Sequence, residues 1–463
     1  MTGITKIALI GSGLSGTLTA INLLWREVPV HISVYEQEQE QVNRGAAYRQ
    51  NNIYQPLNVP IERMSAFSNQ PDHFYHWLRE DEKRMAGCFY GVELDCFVPR
   101  KIFGDYLKDI FAKTIAEAKG LHVINVISES AISVIPSNDG YNVNTANGTA
   151  HYSKVVLASG NVPPQKAIFL PPHCRDLELP IVHSWKGLPK IDSRKQVLIV
   201  GSGLSMVDAI IELDRQGFNG HIRVLSRHGL IPLPEIPEPH NHLTLPLNES
   251  AYEQLKAFRA LAKEAEAHGS GWRTIFHNIR PQIPALWQVL SLEEKQRFLR
   301  HVQPYWEIHR HRVPEFSYRL IQNLIAGGRL QLLKGRITDI ANSTHGKATV
   351  TYRPRHTQAS VNFNTDLIVN CTGPLTDLSK SGDPLLEQLI KSGTATTGPL
   401  KMGLETNEFG ELINGLGHVQ TGLFAIGSLR KGNLWETTAL REIRQQAEAI
   451  PELLLRKRVL VVE

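Results

Sequence analysis

The sequence predicts an α/β protein with two Rossmann-like dinucleotide-binding domains, the second interrupted by a helical insertion. Three observations predict it. A strand, a glycine turn, a helix and a second strand follow one another over residues 5–36. The same succession returns over 196–227. Two further apolar runs end alike, in Ala158-Ser159-Gly160 and Cys371-Thr372-Gly373. Short β-rich runs alternating with helical periods are the signature of parallel sheets with crossover helices.

In the first unit, Lys6 to Ile10 reads as a strand buried on both faces. The turn Gly11-Ser12-Gly13-Leu14-Ser15-Gly16 follows, then a helix over 15–26 with Leu18, Ile21 and Leu24/Trp25 on one face. His31 to Tyr35 is the second strand, closed by Glu36. A glycine at the first position permits the tight turn, the second admits a pyrophosphate to the backbone, and the third lets helix and strand pack closely. The helix N-terminus offers free N–H groups to phosphate. Glu36, at the end of the second strand, is where a carboxylate accepts hydrogen bonds from an adenosine ribose.

In the second unit, Gln196 to Val200 precedes Gly201-Ser202-Gly203-Leu204-Ser205-Met206, a helix over 207–216 and a strand over 221–225. Met206 replaces the third glycine, predicting a looser contact between helix and strand. The second strand runs into Leu225-Ser226-Arg227-His228, without an acid. A carboxylate there repels a 2′-phosphate, whereas Arg227 pairs with it, so this unit is expected to take NADPH. The alternative is that Arg227 is a solvated loop arginine. Gly160 and Gly373 end their strands with backbone that a ligand can approach closely.

Between the units, 137–160 reads as a β-meander feeding a strand. Prolines concentrate over 161–192 and 231–246, which argues against a regular helix or central strand in either. Residues 249–327 read as all-helical. Tyr252, Leu255, Phe258 and Leu261/Ala262 form a stripe, Ser291 to Glu294 match a capping box, and Pro314 can open a helix that Gly327-Gly328 ends. A last helix over 438–455 has Thr437 and Thr438 as candidate N-caps.

The 463 residues are enough for several cores, and 42% hydrophobic with 21% charged residues is a globular balance. The formal charge is +5 without a run of five Lys or Arg, so nucleic acid is not an expected partner. Cys88, Cys96, Cys174 and Cys371 form no C-x-x-C pair, which excludes a zinc ribbon and an adjacent dithiol and fits a reducing compartment. No apolar run reaches 18 residues, so no membrane partner is expected. The short apolar run behind Lys6 leads into glycines rather than a cleavage pattern, so the expectation is a cytoplasmic protein with a mature N-terminus. His240-x-His242 lacks a third ligand, so no metal is expected.

With these motifs, the chain resembles the two-dinucleotide-binding-domain flavoproteins. Within them it resembles an FAD/NAD(P)-binding family that includes FAD-dependent urate hydroxylases, through Gly45-Ala46-Ala47-Tyr48, Leu57-Asn58-Val59-Pro60, Arg63-Met64-Ser65-Ala66-Phe67, Pro99-Arg100, Ser226-Arg227-His228-Gly229-Leu230-Ile231-Pro232 and Leu434-Trp435-Glu436-Thr437-Thr438-Ala439. More distantly it is similar to amine N-hydroxylases and Baeyer–Villiger-type monooxygenases. The resemblance implies FAD in the first unit and NADPH in the second. It also implies a discontinuous FAD domain, 1–165 with 366–463, around an NADPH domain at 190–365 that carries the 249–327 insertion. Arg100 is then expected at the FAD pyrophosphate, Tyr48 to Asn58 along the flavin, and Thr437/Thr438 at a helix N-terminus near its pyrimidine edge. Plainer roles compete: a helix-start arginine for Arg100, core packing for Tyr48. Gly427-Ser428 stands where relatives carry Gly-Asp, whose acid holds the ribityl chain.

The function expected is an NADPH-consuming FAD monooxygenase that forms a flavin C4a-hydroperoxide and oxygenates a small nucleophile, an amine or heterocycle. Its partners are that substrate and oxygen. An NADPH oxidase or reductase and a non-catalytic redox sensor are the alternatives. No acid or base is assignable, and oligomeric state is not legible. The polar cluster Trp306, His309, Arg310 and Arg312 is the candidate for binding an anionic substrate group or the nicotinamide cofactor; a solvated basic face is the alternative.

Overall fold

A computed structural model describes residues 4–49, 51, 53–88, 90–118, 120–164, 169–236, 244–342 and 346–456. Among the described residues, one sheet has six strands, in the spatial order Glu411–Ile413, Val419–Ala425, Lys154–Leu157, Thr5–Ile10, Val30–Tyr35, Val123–Ile127. A second has seven, in the order Val361–Thr365, Ala348–Pro354, Leu330–Asn342, His221–Ser226, Gln196–Val200, Leu367–Asn370, Ile181–His183. The two are built alike. In each, the strand before the glycine turn is flanked by the strand after the helix and by one of the two strands ending in glycine, all parallel.

The strand Thr5–Ile10 is apolar because both of its faces are covered. Ile7 and Leu9 join a core with the helices Leu14–Leu24, Arg100–Glu117 and Leu440–Leu455, while Ala8 and Ile10 face a three-stranded meander spanning 133–152. The helix Leu14–Leu24 is buried along its whole length. Its polar side chains are satisfied internally: Thr19 donates to the Ser15 carbonyl at 2.8 Å and Asn22 to that of Leu18 at 2.8 Å. Trp25 falls just beyond it and is 49% exposed, so it is not part of the buried face. The second sheet repeats the arrangement with the helices Leu204–Arg215 and Glu315–Ala326 on one face.

Two boundaries shift. Leu367–Asn370 hydrogen-bonds beside Gln196–Val200, so residues from 366 do not begin the return to the first sheet; that return begins with the strands after 410. The proline-rich connector also yields an edge strand, Ile181–His183, and its edge position is what its composition permits.

The insertion contains the helices Ala251–Ala267, Trp272–Ile279, Ile283–Gln288, Leu292–His301 and Gln303–Arg310, ahead of Glu315–Ala326, which starts after Pro314 and ends at Gly327. Phe258, Leu261 and Ala262 pack inward, but Tyr252 is 63% exposed and lies outside the stripe. Ser291 caps the Glu294 N–H, whereas the Glu294 carboxylate accepts from the Ala251 N–H at 2.8 Å and so ties two helices together instead of closing the box. The insertion's core includes Met402 and Trp435, so it leans on the C-terminal segment of the first unit.

Candidate functional site

At the first glycine turn, Gly11 has φ +104° and lies against Ala158, at the end of the adjacent strand. A Cβ on Gly16 meets the Gly11 carbonyl, so neither position accepts a side chain. Gly13 faces Gly45, where a Cβ comes within 3.4 Å of the Gly45 Cα, and Gly45 itself has φ +57°. The Gly45-Ala46-Ala47-Tyr48 segment therefore passes directly over the turn. Leu14 and Ser15 open the helix with its N–H groups free of side-chain caps. Glu36 accepts from Ser12 Oγ at 2.9 Å and from the Ser12 N–H at 3.3 Å.

The second turn has the same frame. Gly201, φ +102°, lies against the Cys371 carbonyl, and the Cys371 thiol, pushed up to about 12 by burial, donates to the Ser205 carbonyl at 3.4 Å. Ser202 Oγ donates to Ser226 Oγ at 2.9 Å, with the 24-residue separation of the Ser12–Glu36 pair. Ser226 thus stands where Glu36 stands in the first unit. Gly203 has open space beside it, as do Gly160 and Gly373. Leu204 starts the helix. Arg227 is exposed and makes no ion pair among the described residues. His228 beside it accepts from Arg355 at 2.8 Å, and burial with the charges of Arg355, Arg227 and Arg336 holds its imidazole below the usual histidine range. The end of this strand is a basic patch.

The C-terminal segment closes on the first turn. A Cβ on Gly427, φ +72°, comes within 2.7 Å of Ser15 Oγ. Thr437, fully buried, donates to the Gly427 carbonyl at 2.9 Å and accepts from Gln446 at 2.8 Å. The last helix begins at Leu440 with Ala439 as its N-cap and no capping side chain, so neither Thr437 nor Thr438 caps it; Thr437 is occupied in holding Gly427, and Thr438 is exposed. Ser428 Oγ is buried with no hydrogen-bond partner. A glycine cradle that admits no Cβ, with an orphaned hydroxyl beside it, fits a ligand carrying a pyrophosphate and a polyol chain.

Arg100 is the first residue of its helix and donates to the Pro56 carbonyl at 3.2 Å. The Nη2 of Arg100 lies 3.0 Å from Asp208 on the second unit's helix, so the guanidinium bridges the two units. Tyr48 packs its ring on Phe103 at 4.9 Å, and burial pushes its hydroxyl up to about 12 against the opposing charge of Arg100. Asn58 is half-buried nearby in sequence, between Leu57 and the buried Pro60.

The polar cluster of the insertion is not a solvated face. Trp306 donates to Glu436 at 3.0 Å and Arg310 lies 3.3 Å from the same carboxylate. Burial pushes Glu436 up, yet Arg310, His311 and the Trp306 N–H hold it below the usual carboxylate range. His309 turns away, its ring 4.6 Å from that of Trp272. Arg312, buried, pairs with Glu235, which also meets Arg63 at 3.2 Å. Trp435 has φ +60° at the centre of a γ-turn closed by the Glu436 N–H on the Leu434 carbonyl at 2.7 Å. Such a conformation is costly for a bulky residue, and here stacking on Trp287 at 5.0 Å fixes it.

Glu235, His277, Glu436, Ser428 and Asp208 were absent from the expected site residues; Glu436 carried a signal in its place in the Leu434-to-Ala439 phrase, and Ser428 in its place where relatives carry Gly-Asp. His240 and His242 lie outside the described residues. His173, Cys174 and Asp339 stand close together, but mutual hydrogen bonds account for this and burial pushes the Cys174 thiol up, away from the ligating thiolate. Among the described residues, no helix is long and apolar enough to cross a membrane.

Two sheets, each with a parallel core in which a glycine turn opens a helix, define the class by fold: proteins with two dinucleotide-binding units. Residues 8–162 match the family model described as FAD-NAD(P)-binding. The uncharacterized protein YdhS of Escherichia coli (strain K12) is 23% identical over 335 residues, 63% of this chain and 60% of that protein, so the match spans about three fifths of the relative's length. L-lysine 6-monooxygenase from Pseudomonas syringae superposes with a TM-score of 0.64 at 17% identity, over 97% of this chain and 99% of that one. An ornithine N-hydroxylase of Kutzneria sp. 744, solved with reduced FAD, NADP+ and L-ornithine, gives 0.60 at 13% identity, over 98% and 99%. At these identities the likeness establishes the fold.

Proposed function

We propose that the chain is an FAD-dependent, NADPH-consuming monooxygenase acting on a small nucleophilic substrate, an amine or a heterocycle. One observation carries this reading: Ser12 and Ser202 make the same contact in two like units, but one ends on the carboxylate of Glu36 and the other on neutral Ser226 followed by Arg227. An acid suits the unphosphorylated ribose of FAD, and a neutral residue beside a basic patch suits the 2′-phosphate of NADPH.

In this reading FAD lies on Gly11 to Gly16 with Glu36 on its ribose, and Tyr48, Asn58 and Gly160 border it. Gly427, Ser428 and Thr437 approach it from the C-terminal segment, with Thr438 at the mouth. NADPH lies on Gly201, Gly203, Leu204 and Ser205, between Arg227 and Gly373. FAD, when bound, supplies hydride acceptance from the nicotinamide and activation of oxygen. The chain supplies orientation and dryness. The helix N-terminus at Leu14 holds phosphate charge, Ser428 donates to the polyol, and the packed rings of Trp287, Phe298, Trp306 and Trp435 exclude water from the substrate side. The amine hydroxylases of this fold favour the monooxygenase over an oxidase, and cytoplasmic placement accords with four free cysteines.

The test is anaerobic reduction followed by oxygen. NADPH should bleach the FAD-loaded protein, NADH more slowly. Air with amines or purine-like compounds should then give products heavier by one oxygen. Peroxide matching all NADPH consumed, with every compound tried, marks an oxidase; a flavin that NADPH leaves yellow removes the enzyme reading.

A further inference from the structure

We infer that the substrate is an anion, its negative group seated between Arg310 and Arg312 where the helical insertion meets the C-terminal segment. This rests on the functional reading above. The argument lies in which buried polar atoms lack partners. Arg310 Nε, Arg312 Nη1, Trp435 Nε1 and Asn278 Nδ2 are all buried without a hydrogen bond. Every one of them is a donor.

The acceptors nearby are already taken. Glu235 is held by Arg312 and Arg63, Glu436 by Trp306 and Arg310, and Glu442 by both arms of Arg280, at 2.5 and 2.7 Å. An unmade buried hydrogen bond is costly, so the missing partner is rich in acceptors. Charge points the same way. Burial lowers the Arg312 guanidinium, Glu235 opposes this, and Arg310 and Arg273 add to the lowering; Arg441 is lowered by burial and by Arg280, against Glu442, with smaller additions from Arg444 and Arg310. An ammonium group entering here meets this excess of guanidinium with no free carboxylate. A carboxylate or an acidic heterocycle in its anionic form meets the Arg310 Nε and Arg312 Nη1 hydrogens, the guanidinium donors that Glu436, Glu235 and His277 leave over.

Succinate and its neutral isostere succinamide are the probes. FAD-loaded protein is titrated with each at constant ionic strength, with and without saturating NADP+, and tryptophan emission and flavin absorbance are followed. Succinate should bind saturably and at least about tenfold more tightly than succinamide, the worth of one charged hydrogen bond. NADP+ should not displace it. Arg310→Gln should weaken it about tenfold or more, and Arg310→Lys, which keeps the charge but not the fork, by less. Equal responses to the two probes overturn the inference, as does the absence of a succinate response. So does displacement by NADP+, an unchanged response in Arg310→Gln, or saturation by cadaverine instead. If Arg310→Gln lowers FAD affinity and leaves succinate binding intact, the flavin is the missing acceptor and the inference also falls. Should Arg310→Gln not fold, the wild-type comparison and Arg310→Lys decide. Anaerobic bleaching by NADPH in the same samples keeps the two readings apart: succinate binding without bleaching sinks the oxidoreductase reading alone, and bleaching without succinate binding sinks the anion site alone.

Discussion

Glu36 and Ser226 occupy equivalent places in the two nucleotide units, each taking a hydrogen bond from the serine of its glycine turn at 2.9 Å. The local frame is shared down to the backbone: the Gly11 N–H donates to the Tyr35 carbonyl and the Gly201 N–H to that of Leu225. What differs is the charge offered to a ribose. Exchanging that charge should exchange the preference. Ser226→Glu with Arg227→Ala is expected to lower the rate of flavin bleaching by NADPH about a hundredfold and to spare that by NADH, since a charge-assisted pair is lost and a repulsion gained. Stopped-flow reduction with both nucleotides measures it; an unchanged ratio removes the role given to this position.

Ser428 tests the flavin pocket from the other side. Its hydroxyl is buried without a partner, so it contributes nothing to the unliganded fold. Ser428→Ala should leave the melting temperature of flavin-free protein unchanged or slightly raised, and should weaken FAD binding about tenfold, the worth of one hydrogen bond. A drop in apoprotein stability with unaltered FAD affinity is the result that contradicts this placement.

The seam between the units turns on Arg100 and Asp208, which are 19% exposed each. Burial pushes the Asp208 carboxyl up and Arg100 opposes it. Arg100→Ala leaves that carboxylate without its cation and should cost about 2 kcal/mol, less than for a fully buried pair because solvent still reaches both groups. Asp208→Asn in the same background should recover part of the loss. Urea unfolding of the wild type, both single variants and the double variant measures this, and additive losses in the double variant count against a direct pair.

The parts legible in the sequence were the local ones. Glycine turns, the strands they follow and the helices they open are separated by a few residues, and their spacing carries the mechanism. The strand Leu367–Asn370 went to the wrong unit because an apolar run ending in a small residue and glycine reads alike in either sheet; only its pairing with Gln196–Val200 decides. Thr437 read as a cap because threonine suits that role, and its bond to Gly427, 10 residues away, has no local pattern. The ion pairs were invisible for the same reason: Arg100 and Asp208 lie 108 residues apart and Arg312 and Glu235 lie 77 apart.

The cluster of Glu235, His277, Arg312 and Arg63 should set the acid limit of the fold. Burial pushes the Glu235 carboxyl up, but His277 and Arg312 overcome it and hold it at about 2. Burial holds the His277 imidazole below 6.5, aided by Arg312 and Arg63 and opposed by Glu235. Both groups therefore bind protons more readily in the unfolded chain, and both make stability fall as pH falls. The His277 contribution is whole above its unfolded value of 6.5 and erodes below it. That of Glu235 is whole above 4.5 and is lost as pH drops through about 2. Urea midpoints taken from about pH 8 down to about pH 3 should thus decline in two stages. His277→Gln should remove the upper stage. Glu235→Gln should remove the lower one and cost about 3 kcal/mol at neutral pH, because Arg312 is left buried without its carboxylate. A single-stage decline that neither variant alters would show that the network does not govern acid stability.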